Sequence, residues 1–245
     1  MADVVGIIPA RYDSKRLPGK PLVLLHDRPM IQHVYLRAAQ AATLEKLVVA
    51  TDDTRIQKAV AQFGGEVLMT SREHLSGTDR VAEAARKLML TDDAIVVNIQ
   101  GDEPLLRAEM IDSLVRNLQG NSDVPMATLA YQETDKNDLT DPGVVKVVLN
   151  AKGRALYFSR SPIPAVRDRS SPPPYFKHLG FYGYRNGFLQ KFTKLSPGVL
   201  EKLEKLEQLR ALEHGFSISV IVTPFDSISI DTPEDLARVR KIMEQ

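Results

Sequence analysis

Ile7-Ile8-Pro9-Ala10-Arg11-Tyr12-Asp13-Ser14-Lys15-Arg16-Leu17-Pro18-Gly19-Lys20 starts inside an apolar run that begins at Val4, and it ends as a loop rich in cations. A short apolar run without polar alternation is a strand buried on both faces, and such strands belong to parallel sheets covered by helices. Pro9 breaks the run. Arg11, Lys15, Arg16 and Lys20 then fall where open α/β sheets bind anions, at the carboxyl ends of their strands. Pro21 after Lys20 rules out a Walker A loop, and no G-x-G-x-x-G occurs anywhere in the chain. Side-chain charge therefore replaces glycine amides here, which suits a polyphosphate that must be neutralised while a bond to it breaks. The plainer reading is a solvated basic loop.

Outward from this stretch, strand and helix periods alternate through the first 130 residues. Met30, Ile31, Val34, Tyr35, Ala38 and Ala41 recur at helical spacing, and Leu47–Ala50 is a second strand. Ile56, Val60 and Phe63 mark a helix ended by Gly64-Gly65, and Val67–Met69 is a third strand. Ser76 with Asp79 forms a capping box before Val81, Ala85 and Leu88. Ile95–Ile99 is a fourth strand and Met110–Leu118 a further helix. The pattern predicts βαβ units, hence an α/β fold with a mostly parallel central sheet.

The second half predicts a hairpin, Val144–Leu149 and Ala155–Phe158, then a proline-rich excursion over Ser161–Tyr175 that excludes helix and central strand. The excursion is read as an arm for a second subunit rather than a flexible insertion. His178–Tyr184 is a strand. Leu200, Leu203 and Leu206 predict one long charged helix ending at Gly215, followed by a strand over Ile218–Val222. Thr232-Pro233-Glu234-Asp235 opens a last helix.

Composition narrows the function. At 245 residues, 43% apolar and 26% charged, the chain suits one soluble domain over 1–245. A net charge of +1 gives no overall field for gripping nucleic acid, so the opening cations are a local device. The lack of cysteine excludes disulfides, thiolate catalysis and cysteine-ligated zinc. No apolar run approaches a membrane span and the first residues lack a signal-like pattern, so a cytoplasmic, membrane-free protein is expected.

Polar clusters sit where apolar strands end. Asn98-Ile99-Gln100-Gly101-Asp102-Glu103-Pro104 holds a carboxylate at the sheet edge, and Ser229-Ile230-Asp231-Thr232 supplies another. Asp102 and Asp231 could converge on a hard cation such as Mg²⁺, which takes one or two carboxylates plus phosphate oxygens. Asp231 could equally be a helix-capping carboxylate. Ser76-Gly77-Thr78-Asp79-Arg80 reads as a base- or ribose-recognition loop or as ordinary capping. His178 and Tyr182 share a strand face and suggest a platform for a polar ligand, although a lone histidine is more often structural. Arg160 suits a substrate carboxylate, which a guanidinium binds bidentately. Glu207, on the apolar stripe of the long helix with Gln208 beside it, suits a hydroxylated substrate.

These clusters, in order, resemble the sugar-activating cytidylyltransferases, in particular the branch acting on 3-deoxy-manno-octulosonate (Kdo). The matching motifs are I-I-P-A-R-Y-x-S-x-R-L-P-G-K-P-L, V-A-T-D, S-G-T-D-R, V-N-I-Q-G-D-E-P, A-L-Y-F-S-R, H-L-G-F-Y-G-Y-R, L-E-Q-L-R and D-T-P-E-D-L, from Ile7 to Asp235. Leu17-Pro18-Gly19-Lys20 favours the Kdo branch over the sialic-acid enzymes. The resemblance implies a Rossmann-like nucleotidyltransferase fold and a homodimer. The implied reaction converts CTP and Kdo to CMP-Kdo and pyrophosphate, for lipopolysaccharide synthesis. It further implies a nucleotide-binding half over 1–130 and a sugar-binding and dimerisation half over 140–230.

By the same resemblance Arg11 and Lys20 contact the triphosphate, with Ala10 and Arg16 nearby, and Ser76 and Arg80 lie at the cytosine. Gln100, Arg160, His178, Tyr182, Glu207 and Gln208 would hold the sugar acid, and Asp102 and Asp231 would bind Mg²⁺. Ala165 replaces an aromatic residue frequent in the family, which bears on the dimer contact. Ser229 replaces a glycine two residues before Asp231, which bears on the metal-site backbone. Competing readings are another 2-keto acid such as 8-amino-Kdo, a nucleotide-binding regulatory module without chemistry, and, least supported, a dinucleotide oxidoreductase.

Overall fold

The structure, a computed structural model, describes residues 3–13, 16–167 and 175–244. Ser14, Lys15 and the proline-rich 168–174 stretch of the expected arm lie outside the described residues. The first half contains β1 (Val4–Ala10), β2 (Leu24–Leu25), β3 (Arg28–Pro29), α1 (Met30–Ala38), β4 (Lys46–Thr51), α2 (Thr54–Gln62), β5 (Val67–Met69), α3 (Gly77–Lys87), β6 (Ile95–Asn98) and α4 (Ala108–Gly120). The second contains β7 (Met126–Glu133), α5 (Lys136–Thr140), β8 (Lys146–Leu149), β9 (Ala155–Ser159), β10 (Tyr175–Arg185), α6 (Asn186–Phe192), α7 (Val199–Glu204), α8 (Leu209–Glu213), β11 (Ile218–Thr223) and α9 (Pro233–Met243).

The main sheet runs β11-β7-β10-β6-β1-β4-β5, with the β8–β9 hairpin branching from β10. β1 pairs in parallel with β4 and β6, and β11 with β7. β10 alone on this path is antiparallel, to both β6 and β7. The carboxyl ends of the parallel strands therefore share one edge of the sheet. Because β1 lies between β4 and β6, the chain changes direction across it, and that switch point opens the crevice where such sheets bind ligands.

Alternation along β1 divides the core. Ile8 faces a cluster with Ile31, Val34, Ile56, Val60 and Leu114, whereas Ile7 faces one with Val81, Ala85, Leu189, Phe192 and Leu209. Both isoleucines are fully buried, each worth about 1.5–3 kcal/mol relative to exposure. Helices thus cover both faces, as the unbroken apolar runs predict. A third cluster packs Leu236 and Val239 of α9 on Leu25 and Met30. No helix among the described residues is long and apolar enough to cross a membrane.

The structure corrects the predicted elements. β2, β3 and α5 are elements that the sequence pattern does not predict. β7 and α6 are additional elements, and β7 is the strand that joins β11 to β10. The long helix through Leu200–Gly215 is two short ones, α7 and α8, broken at Lys205 in the left-handed conformation (φ 54°, ψ 44°). Tertiary bonds make the break. The Glu204 carbonyl, a helical acceptor by periodicity, instead receives Arg160 Nε at 2.7 Å. Leu203 is accordingly 74% exposed, so the apolar stripe that placed Glu207 does not exist as such.

Candidate active site

A cleft of about 730 Å³ opens at the carboxyl edge beside β1. It gathers Ala10 from the end of β1, Arg11, Arg16 and Lys20 from the loop after it, Ser76 and Arg80 from the start of α3, Gln100 and Asp102 from the loop after β6, and Asp231 from the approach to α9. Close packing shapes this edge. A Cβ on Gly101 would stand 3.1 Å from the Pro9 carbonyl oxygen, so glycine lets the β6 loop lie close against the end of β1 without crowding that carbonyl. Gly19 (φ 67°) turns the chain before Lys20, and a Cβ on it would meet the Tyr12 ring at 3.1 Å.

Lys20 sits at the centre of the charge arrangement. Its Nζ donates to Asp102 Oδ2 at 2.6 Å and to Asp231 Oδ1 at 2.9 Å. Burial would lower the pKa of this ammonium, but Asp102 and then Asp231 outweigh it, and the net shift is upward. Arg16 Nη2 adds a second cation to Asp231 Oδ1 at 2.8 Å. The two carboxylates are fixed through the main chain as well, because Ile230 N donates to Asp102 O at 2.9 Å. Asp231 is not the cap of α9. Thr232 is, in a capping box with Asp235, and Asp235 also accepts from Asp231 N at 3.0 Å. Ser229 is not among the non-glycine residues with positive φ, so serine replaces glycine there without backbone strain.

The capping reading of Ser76 holds too: Ser76 and Asp79 form a reciprocal capping box at the start of α3 while Ser76 lines the cleft. Arg80 is buried, donating to Thr70 Oγ1 at 2.5 Å and pairing with Asp52 at 3.1 Å. His74 meets Glu83, fixing the loop between β5 and α3 at the cleft wall.

Arg160, His178, Tyr182, Glu207 and Gln208 do not line this cleft. His178, Tyr182 and Glu207 form an adjoining shelf on the α3 side of the sheet. His178 stacks edge-on against Phe158 at 4.9 Å and lies 5.5 Å from the Tyr182 ring, with Nε2 2.9 Å from Thr128 Oγ1. Burial pulls the His178 pKa down to about 3, so the imidazole is neutral at physiological pH. Burial, then the Glu207 charge, raises the Tyr182 hydroxyl well above its usual value.

Two bonds join shelf and cleft. Gln100 Nε2 donates to Gly180 O at 2.8 Å, and Glu207 Oε2 accepts from Thr78 Oγ1 at 2.5 Å, two residues after Ser76. Burial raises the Glu207 pKa, while the Thr78 bond and the Arg210 charge oppose it. Gln208 Nε2 and Asn98 Oδ1 are buried without a partner among the described residues, which is uncommon and leaves bonding capacity beside the shelf.

Thr128, Asn98 and Tyr12 stand at the site without a local sequence pattern that gives them a role there. Thr128 lies on the unforeseen β7. Asn98 is legible only as the polar end of an apolar strand. Tyr12 lines the cleft under the Arg55 guanidinium, 3.3 Å from its ring centre, and no local pattern signals that stacking.

Two carboxylates and several cations at the carboxyl edge of a doubly covered parallel sheet define a nucleotide-handling α/β protein. Comparison with known proteins makes this particular. A family model described as cytidylyltransferase matches residues 5–220. A 3-deoxy-manno-octulosonate cytidylyltransferase of Syntrophobacter fumaroxidans is 59% identical over 99% of this chain and 97% of its own length. An 8-amino-3,8-dideoxy-manno-octulosonate cytidylyltransferase of Shewanella piezotolerans is 51% identical over 96% of each. Among solved structures, a CMP:2-keto-3-deoxy-manno-octonic acid synthetase complexed with CTP superimposes with a TM-score of 0.94 and 42% identity, covering 100% of this chain and 99% of that one. The chain belongs to the cytidylyltransferase family, and it is a nucleotidyltransferase with the Rossmann-like fold of that family.

Proposed function

We propose that this protein transfers CMP from CTP to the anomeric hydroxyl of 3-deoxy-manno-octulosonate, giving CMP-Kdo and pyrophosphate. Relatives of that name matching nearly end to end support the reading, as does the CTP-bound structure of the same shape. The observation that carries it is the Lys20 ammonium lodged between Asp102 and Asp231 in a cationic cleft.

The acceptor oxygen forms a bond to the α-phosphorus as the bond from that phosphorus to the pyrophosphate oxygen breaks, and the hydroxyl proton passes to solvent water. Positioning and neutralisation dominate such transfers. Arg11, Arg16 and Lys20 hold the triphosphate and stabilise the charge that collects on pyrophosphate. Ser76 and Arg80 flank the cytosine, with Ala10 beside the phosphates. Gln100, Arg160, His178, Tyr182, Glu207 and Gln208 hold the sugar acid on the shelf, a neutral His178 serving as a hydrogen-bonding rather than a charged group.

Asp102 and Asp231 suit Mg²⁺. Both point at one place where a cation already sits, and both are hard oxygen donors, of which Mg²⁺ typically takes one or two beside phosphate oxygens. Bound there, Mg²⁺ would neutralise the reacting oxygens as a Lewis acid.

We also infer a nucleotide half over 1–130, an acceptor half over 140–230, a cytoplasmic setting and a homodimer paired through the segment after Arg160. Sedimentation equilibrium giving a monomer at micromolar concentration would remove the dimer.

A pyrophosphate-release assay with CTP and a panel of Kdo, 8-amino-Kdo and sialic acid tests the activity, with release expected on Kdo. Release on 8-amino-Kdo alone would reassign the acceptor. Silence with every acceptor would leave a nucleotide-binding module.

A further inference from the structure

Lys146, on β8, is fully buried, a rare state for lysine. Its Nζ donates to three main-chain carbonyls: Asp141 O at 2.9 Å, Val144 O at 2.6 Å and Arg160 O at 2.6 Å. That uses all three ammonium protons. The acceptors belong to the turn before β8 and to the residue just after β9. A single cation therefore ties the turn to Arg160.

Glu204 holds Arg160 from the other side. Its carboxylate accepts from Arg160 N at 2.9 Å and from Ser159 Oγ at 2.6 Å, and its carbonyl accepts from Arg160 Nε at 2.7 Å. Pro142 O, in the turn that Lys146 anchors, accepts from Arg160 Nη1 at 2.9 Å. Arg160 is thus fixed at its N–H, its C=O, Nε and one Nη1 hydrogen. Among the described residues, Nη2 and the other Nη1 hydrogen have no protein acceptor.

Strand register shows where that free edge stands. Lys146 pairs with Ser159 on β9 and with Lys177 on β10, so the next row is Arg160, Val145 and His178, with His178 N donating to Val145 O at 2.8 Å. Residues of one row share a face of an antiparallel sheet. Arg160 therefore lies on the His178 side, two strands or roughly 10 Å away, about the span of a sugar acid.

We propose that Lys146 is a positioning residue for acceptor recognition: its buried ammonium fixes the 141–144 turn and Arg160 so that the free guanidinium edge receives the acceptor's carboxylate. The proposal rests on the reading of Arg160 as the carboxylate partner. No neutral side chain of similar size can satisfy three carbonyls at once. Without the ammonium, those carbonyls lose their partner and the frame loosens.

The test is Lys146→Met, with CTP and Kdo varied separately in the pyrophosphate assay. A KM for the sugar acid raised roughly 10- to 100-fold is expected, the scale of a small misplacement, with the KM for CTP within about twofold of wild type. In an Arg160→Ala background, Lys146→Met should raise the sugar-acid KM no further, which a merely structural role would not produce. Equal rises in both KM values, a fall in kcat alone, or an undiminished effect in that background overturns the proposal. Should Lys146→Met not fold, Lys146→Gln, which keeps two N–H donors, carries the same expectation and the same overturning results. Arg160→Ala with an unchanged sugar-acid KM would trace the failure to the Arg160 reading. A rise with Arg160→Ala but none with Lys146→Met would reject the positioning role alone.

Discussion

Two carboxylates brought this close repel unless a cation separates them, and here Lys20 supplies it. Each of the three groups therefore depends on the other two. Asp102→Asn removes one carboxylate charge from the proposed Mg²⁺ pair and loosens Lys20, and turnover should fall roughly 10²-fold or more. Near-native kcat in that variant would sink the metal assignment. His178 makes a separate prediction at this scale. Its folded pKa of about 3 lies below the ordinary 6.5, so below pH 6.5 the unfolded chain takes up a proton that the folded chain refuses. Its contribution to stability is full above about pH 6.5 and is lost progressively as pH falls towards 3. Urea midpoints at pH 7 and pH 5 should consequently differ more for wild type than for His178→Gln, and equal differences would contradict a neutral imidazole in the folded protein.

Among the elements, α3 and α9 start with capping boxes that are also site scaffolding, since Ser76 lines the cleft and Asp231 directly precedes Thr232. Thr232→Ala should lower stability by about 1 kcal/mol, or about 2–4 °C in melting temperature for a chain of this size. Because Asp235 loses the Thr232 hydroxyl while still accepting from Thr232 N and Asp231 N, the variant should also need more Mg²⁺ for half-maximal activity. A melt shifted as expected with an unchanged Mg²⁺ requirement would separate the cap from the site. The Ser76 box and the Thr232 helix start were legible in sequence because a cap depends on residues within one turn. The α7–α8 break was not, because it depends on Arg160 capturing the Glu204 carbonyl across 44 residues of chain.

For the molecule as a whole, the cleft draws on segments from Pro9 to Asp231, so a ligand there ties together segments far apart in the chain. A non-reacting CTP analogue with Mg²⁺ at about 100 times its Kd should add about 2.7 kcal/mol to folding stability, seen as a rise of several degrees in the melting temperature. Asp231→Asn should abolish the Mg²⁺-dependent part of that rise and keep the part due to nucleotide alone. Identical rises with and without Mg²⁺ in the wild type would remove the cation from nucleotide binding.

The strand and helix alternation of the first half, the carboxyl-edge position of the polar clusters and the hairpin followed by β10 were determined by the sequence itself. Apolar periodicity records how each element is buried, and the punctuating Gly, Pro and capping residues act within a few positions. Tertiary structure alone decided that β10 runs antiparallel between β6 and β7, that Glu207 reaches Thr78 from a loop, and that Arg160 and His178 lie outside the cleft. It alone brought Lys20 between Asp102 and Asp231 and buried Lys146 under three carbonyls. The reason is that register, ion pairing and the burial of a charge depend on which distant segments meet, and no local pattern encodes that meeting.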